Sequence, residues 1–351
     1  MKAIILKCKG NEQYRFGSGS KDSVSNLIYS DTLFSALINV YNKVYDDCSQ
    51  FLELFINEKV NISSAFPVWE NIPDKSYIYF IPKPVIEFSP DISEVDMKSI
   101  KKIRFISTNV FNLMKEQLKI ENEFPVTSLN LNDNSRFSII DGSYCILNEE
   151  IKNFNLSAYK PISNISMPKV FVNTIQTTDK FYYETNIMLN TFKVNGENLL
   201  KPHFYFLIND NELKSEEFDK IITCFRILCD EGIGGERSTG KGAFQGIEII
   251  DKNFKNDKSE LYISLSLINP ANDNEFKNVV FYDLIKRGGG SLGNEEASEY
   301  HRKQVKMISE GAIIKNQIKG RIVDVSPDKN IYSHKIYRYG KAFLLPLGGL
   351  S

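Results

Sequence analysis

The sequence predicts an α+β fold of two units, and three observations carry that prediction. A short apolar strand at residues 3–8 is followed by an amphipathic helix at 32–45. The same strand-then-helix opening returns at 261–267 and 275–286. Between the openings, a helical repeat over 215–230 runs through a glycine-rich loop into a strand at 243–250. The most polar connector, DKNFKNDKSE at 251–260, then separates a first unit (1–252) from a second (258–351). With 351 residues, 42% apolar and 25% charged, the chain is long and apolar enough for substantial cores.

In the first unit, Ser30 or Asp31 is placed to cap the helix 32–45, with Leu33, Leu37, Val40, Tyr41 and Val44 on its apolar face. A strand leading into such a helix opens a ferredoxin-like β-α-β-β-α-β unit. The intervening loop, 11–20, holds Tyr14, Arg15 and Phe16. An arginine beside aromatics suits phosphates and stacked bases, though a solvated loop has the same composition. The strand 77–81 meets Pro82 and Pro84, which argue against a central strand there. Residues 98–105 mix apolar positions with Lys98, Lys101, Lys102 and Arg104, the pattern of a helix face with snorkelling lysines. Residues 121–143 read as irregular chain with one strand at 136–140. Strands at 169–175 and 181–189 turn over 176–180, and another strand spans 203–208. In the second unit, RGGGSLG at 287–293 reads as a flexible loop.

The loop itself, GIGGERSTGKGAFQG at 232–246, contains Gly232, Gly234, Gly235, Gly240, Gly242 and Gly246. Arg237, Ser238, Thr239 and Lys241 sit among them as donors suited to phosphate or sugar oxygens. A helix C-cap followed by a tight turn is the plain alternative. Gly235, Gly240 and Lys241 imitate a P-loop, but Gly242 stands where magnesium binding needs Ser or Thr, and the element order is helix, loop, strand. Arg237 occupies the third glycine's place in a dinucleotide fingerprint.

This loop between helix and strand resembles the signature of the RAMP superfamily of CRISPR RNA-binding proteins. GIGGERSTGKGAF is very similar to the form in subunit four of the type III-A Csm effector complex. YSDTLFSALINVY (29–41), YFIPKPV (79–85), KKIRFIS (101–107), KMISEGAII (306–314) and HKIYRYGKAFLLPL (334–347) are similar to the same family. The resemblance implies two ferredoxin-like (RRM-like) units side by side, with a thumb-like insertion at about 85–168. It implies a subunit that anchors the 5′ tag of the CRISPR RNA (crRNA). Its partners would be the large polymerase-like subunit and the first copy of the backbone RAMP subunit. Carried over residue by residue, the RNA site comprises Arg15, Phe16, Gly232, Gly234, Gly235, Arg237, Ser238, Thr239, Gly240, Lys241 and Gly242. His334, Lys335 and Arg338 join them if the loop lies near the cleft between units. Related sequences carry an arginine in the hairpin where this chain has Val172-Asn173-Thr174, a departure that puts an arginine contact there in doubt.

Charge supports a polyanion partner on one face. The protein carries 43 Lys/Arg against 44 Asp/Glu, but residues 301–341 hold ten cations against three carboxylates. Tyr332, Tyr337 and Tyr339 interleave with Lys335 and Arg338, whereas a solvated lysine-bearing sheet is the simpler account. Five cysteines without a C-x-x-C pair argue against a disulfide framework and a zinc site. No apolar run nears 18 residues and no signal peptide follows Met1, so a cytoplasmic protein without a membrane partner is expected. Catalysis is not expected. His203, His301 and His334 all fall outside the first strand, first helix and joining loop, and Asp31 at a helix start reads as a cap. No metal or cofactor motif appears. The rival readings are a metal-independent endoribonuclease that processes precursor crRNA and a purely structural adaptor.

Overall fold

The fold is that of a computed structural model, described for residues 1–10, 12–17, 24–85, 94–121, 136–151, 154–171, 180–210, 212–252, 259–289, 302–327 and 334–348. It is α+β and mostly sheet. The first strand, β1 (Lys2–Cys8), alternates between two cores. Ala3 and Ile5 enter one, Ile4, Leu6 and Cys8 the other, as period-two geometry requires. After β2 (Gln13–Tyr14) comes α1 (Ser30–Tyr45). Its N-cap residue is Tyr29, which makes no side-chain cap, so neither Ser30 nor Asp31 plays the expected capping role. Leu33, Phe34, Leu37, Val40 and Tyr41 form its buried face, while Val44 is exposed.

A second helix, α2 (Cys48–Ile56), was not legible as such; Asp47 caps it by accepting the Gln50 N–H at 3.0 Å. It buries Phe51 and Phe55 beneath α1. Next come β3 (Asn61–Ile62), β4 (Phe66–Asn71) and β5 (Ser76–Pro82). Contrary to the proline argument, β5 is central. Pro82 is its last residue, where a missing N–H removes no interior rung. The inserted region supplies α3 (Glu94–Lys102), β6 (Phe105–Ser107), α4 (Thr108–Glu121), β7 (Phe137–Ile140) and β8 (Tyr144–Leu147).

Ten antiparallel pairs join β9 (Ile162–Phe171) to β10 (Lys180–Leu189), and β2 pairs with β10 in the same small sheet. Residues 176–179 of the expected turn and Val172-Asn173-Thr174 lie outside the described residues, and Lys180 opens β10. β11 (Phe192–Val194) and β12 (Glu197–Asn209) precede α5 (Ser215–Glu231) and β13 (Phe244–Asp251). The main sheet runs β13-β1-β12-β4-β5-β6-β8-β7. If β1, β4, β12 and β13 are numbered one to four, their order is four-one-three-two, antiparallel throughout. The insertion extends the sheet beyond the second. Helices α1, α2 and α5 cover one face.

The second unit contains β14 (Leu261–Ser264), α6 (Asp273–Lys277), β15 (Val279–Phe281), β16 (Leu284–Arg287) and β17 (Val305–Ile308). It ends with β18 (Ile313–Lys315), β19 (Val323–Asp324), β20 (Tyr337–Arg338) and β21 (Leu344–Gly348). The helix expected over 275–286 survives only as the single turn α6. Val279-Val280-Phe281 favours extended chain, and Phe276, Val280, Tyr282 and Leu284 are exposed, so no apolar stripe is buried to sustain a helix. The sheet order is β15-β18-β14-β21. Its inner residues Ile263, Leu265, Ile313, Phe343 and Leu345 merge with Ala3, Ile5, Tyr205 and Leu207 into one core. The connector 253–258 and the loop 290–301 lie outside the described residues. Among the described residues no helix is long and apolar enough to cross a membrane.

Candidate nucleic-acid interface

The glycine loop leaves α5 and folds first upon itself, upon β2 and upon the residue that follows it. Ile233 N–H donates to Gly242 O at 3.0 Å, Gly242 N–H to Gln13 O at 3.0 Å, and Gly235 N–H to Arg15 O at 2.9 Å. Gly234 is required by that docking. A Cβ there would stand 2.4 Å from Arg15 O, closer than any carbon tolerates. Gly240 differs: at φ 83° it ends the one-turn helix Arg237–Thr239, and nothing lies within 4 Å of its missing Cβ. Gly235, Glu236, Ser238, Thr239 and Gly240 form an exposed crest. The buried glycines Gly232 and Gly242 thus close the loop rather than face a ligand. The crest remains available.

Several expected contact residues are occupied inside the protein. Phe16 is 2% exposed and packs edge-on against Phe204, with centroids 5.4 Å apart, so it has no free face for a base. Arg15 is buried, and its Nη1 donates to Thr185 O on β10 at 2.8 Å. Lys241 Nζ is paired with Glu184, a buried carboxylate on the same strand. Burial alone would raise the Glu184 carboxyl, yet Lys241 and the Asn186 amide hold it below its ordinary value. These contacts correct Phe16 and Lys241 as surface groups. They also show that the loop is tied to the β9–β10 hairpin.

Arg338 is corrected too, since it is 6% exposed and its Nη1 pairs with Asp31. Arg287 completes the clamp, with Nε and Nη2 each 2.9 Å from an Asp31 oxygen. Burial opposes ionisation of Asp31, but the two guanidiniums keep its carboxyl below the usual range. Asp31 therefore does not cap α1; it cross-links α1 to the second unit. The sequence offered no signal for Arg287 as its partner. His334 and Lys335 are exposed, with Lys335 Nζ 3.6 Å from Asp324. The contacts unite Arg15 and Phe16 with the glycine loop, and carry Arg338 to the start of α1 instead. Arg237 is half-buried, 3.9 Å from Glu231.

His203 is fully buried. Its Nδ1 accepts the Cys8 N–H at 2.9 Å and its Nε2 faces Glu70 at 2.8 Å. Burial pushes the imidazole down to about 4, so it is neutral at pH 7 and its Nε2–H donates to Glu70. His301 lies outside the described residues. Among those described, no group of three or more His, Cys, Asp or Glu could hold a metal ion.

A family model described as the CRISPR Csm4 C-terminal domain matches residues 257–347. The chain is 31% identical to the CRISPR system Cms protein Csm4 of Methanocaldococcus jannaschii, over 99% of this chain and 97% of that protein. It is 24% identical to the Csm4 of Streptococcus thermophilus, over 95% of each. A chain of the crystal structure of the Csm3–Csm4 subcomplex of the type III-A CRISPR–Cas interference complex superposes with TM-score 0.66 at 27% identity, covering 99% of both chains. A chain of the Csm1–Csm4 cassette in complex with pppApA shares the fold at TM-score 0.58 and 19% identity, covering 98% of this chain and 97% of that one.

Proposed function

The chain belongs to the Csm4 family of type III-A CRISPR proteins, and from that membership we propose that it is a non-catalytic RNA-binding subunit that anchors the 5′ tag of the crRNA. The carrying observation is full-length likeness to relatives named Csm4, one at 31% identity and another from a Csm3–Csm4 subcomplex. On this reading its partners are the backbone subunit Csm3 and the large subunit Csm1, and it works in the cytoplasm. Both sheets are read as ferredoxin-like, because each has the strand order four-one-three-two. In the second, β19 and β20 are the elements found among the described residues where the second helix would stand.

Locally, two features support RNA binding. One is the exposed crest, where the Ser238 hydroxyl suits a phosphate, while the N–H groups of Gly235, Thr239 and Gly240 and the Thr239 hydroxyl hold the crest's shape by bonds within the protein. The other is the β9–β10 hairpin, on which Val170, Phe181 and Tyr183 are exposed and the two rings meet edge to face. We assign the thumb to this hairpin; within 85–168, β6, β7 and β8 extend the main sheet, and only 162–168 belong to the hairpin, as part of β9. Exposed aromatics on a hairpin suit insertion between bases.

The test is a gel shift with tagged single-stranded RNA beside incubation with a long precursor. Binding without cleavage is expected. Cleavage lost on replacing His203, His301 and His334 with alanine would establish the endoribonuclease, and neither binding nor cleavage would leave an adaptor. The neutral, fully buried His203 has no route to a substrate, which supports the scaffold.

A further inference from the structure

Two adjoining clefts run from the foot of the β9–β10 hairpin to the second unit, away from the glycine loop. The first, of about 670 Å³, has Lys101, Lys102, Arg104 and Lys160 on its walls, with Ser163 and Asn164 of β9. The second, of about 810 Å³, shares Asn26, Lys101 and Arg104 and reaches Asp283 and Glu310. Together they form one trough whose cations gather at the hairpin end.

We propose that the hairpin end of this trough is a second RNA subsite, holding a single-stranded segment by its phosphates. The inference rests on the RNA-binding reading above and adds to it a surface which that reading leaves unused. Lys101, Lys102, Arg104 and Lys160 are all exposed, and among the described residues no carboxylate stands within salt-bridge distance of any of them. Asp141 is the one carboxylate among the described residues of the first cleft's wall, and burial raises its carboxyl above the ordinary value against the opposing pull of Lys160. In the glycine loop, by contrast, Lys241 is consumed by Glu184. Free cations backed by the amides of Asn26 and Asn164 and the hydroxyl of Ser163 are donors without base selectivity. The combined space is far larger than one anion and is open along its length, as a strand requires. Its other end carries Asp283 and Glu310, so the phosphate path stops near Arg104. Arg15 and Lys241 fasten the loop to β10, while Ile162, Ser163 and Asn164 of β9 line the trough. The paired strands of one hairpin thus connect the loop to the trough.

The test uses the full chain and measures the slope of log affinity against log salt for tagged single-stranded RNA. Lys101→Ala, Lys102→Ala and Arg104→Ala combined should flatten the slope by about 2, at roughly 0.7 per phosphate contact. A scrambled RNA of equal length should lose affinity to the same degree. The control, Lys277→Ala with Lys315→Ala, lines neither cleft and should leave the slope unchanged. Should the triple variant melt early, Lys101→Ala with Lys102→Ala carries the same test with a flattening of about 1.4. RNA binding by the parent with an unchanged slope in a folded variant overturns the trough alone. An unchanged slope with lost assembly onto the large subunit also overturns it, and makes this a protein surface. No RNA binding by the parent overturns the RNA reading and the trough together.

Discussion

At Gly234 the absence of a side chain is a packing requirement, because the missing Cβ faces Arg15 O at 2.4 Å. Gly234→Val should therefore lower stability, by about 1–3 kcal/mol or more as overpacking does, and a lowered melting temperature is the readout. Gly240→Ala meets no neighbour and bears only the cost of its positive φ, about 1–2 kcal/mol. A Gly234 variant as stable as the parent would contradict the docking of the loop on Arg15. Lys241 makes a complementary case. Its removal strands a buried Glu184, which should cost about 3–5 kcal/mol, so RNA affinity in Lys241→Ala must be read against unfolding. Glu184 also supplies a pH signature. Its carboxyl is depressed in the folded state, so its stabilisation is present above the unfolded value near 4.5 and fades as pH falls through the folded one. In Lys241→Ala, denaturant midpoints should lose that acid-side decline.

Among elements, α1 matters most, because its first turn carries the buried ion-pair clamp between the two units. Arg287 and Arg338 reach Asp31 from β16 and β20, and Tyr339 stacks on Phe34 with centroids 5.3 Å apart. Asp31→Ala leaves two buried guanidiniums without their carboxylate and should cost about 3–5 kcal/mol by urea denaturation. A change within error would mean solvent replaces the clamp. Nearby, the Ser64 hydroxyl donates to Glu310, and Ser64 N–H donates to Leu265 O at 2.8 Å, binding the loop before β4 to the second unit. Burial pushes the Glu310 carboxyl up to about 7. The sign follows from the proton favouring the folded state. Its contribution is complete below about 4.5 and is lost as pH rises towards 7. Glu310→Gln should remove that decline across pH 5–7, and an unaltered stability profile would contradict it.

Over the whole molecule, the second unit's sheet is the wall of the first unit's core. Ile263, Leu265 and Leu345 are at most 1% exposed and pack with Ile5 and Tyr205. Unfolding should accordingly be a single cooperative transition, and Leu265→Ala should shift all of it by about 2–5 kcal/mol. Expressed alone, residues 258–351 should not melt cooperatively, since their inner face would be exposed to water. Two resolved transitions in the full chain, or an independently folding fragment, would show that each unit stands by its own core.

Local pattern was enough for the elements that bury one regular face. The alternation of β1, the helical repeat of α5 and the strand β13 were legible because period and burial coincide in them. Composition also marked the loop between α5 and β13, and quoted motifs along the chain marked the family. Where a local preference was outvoted, the reading went astray, as for Pro82 in a central strand and for the one-turn α6. The availability of the cations was decided only by tertiary structure. Lys241 meets Glu184 across 57 positions, while Asp31 meets Arg287 across 256 and Arg338 across 307. An ion pair depends on distance in space and on the water removed around it, and neither is written in local sequence. The sequence alone thus determined β1, α5, β13, the glycine loop and the family. Folding decided which charges are spent inside and which, at Lys101, Lys102, Arg104 and Lys160, remain for a partner.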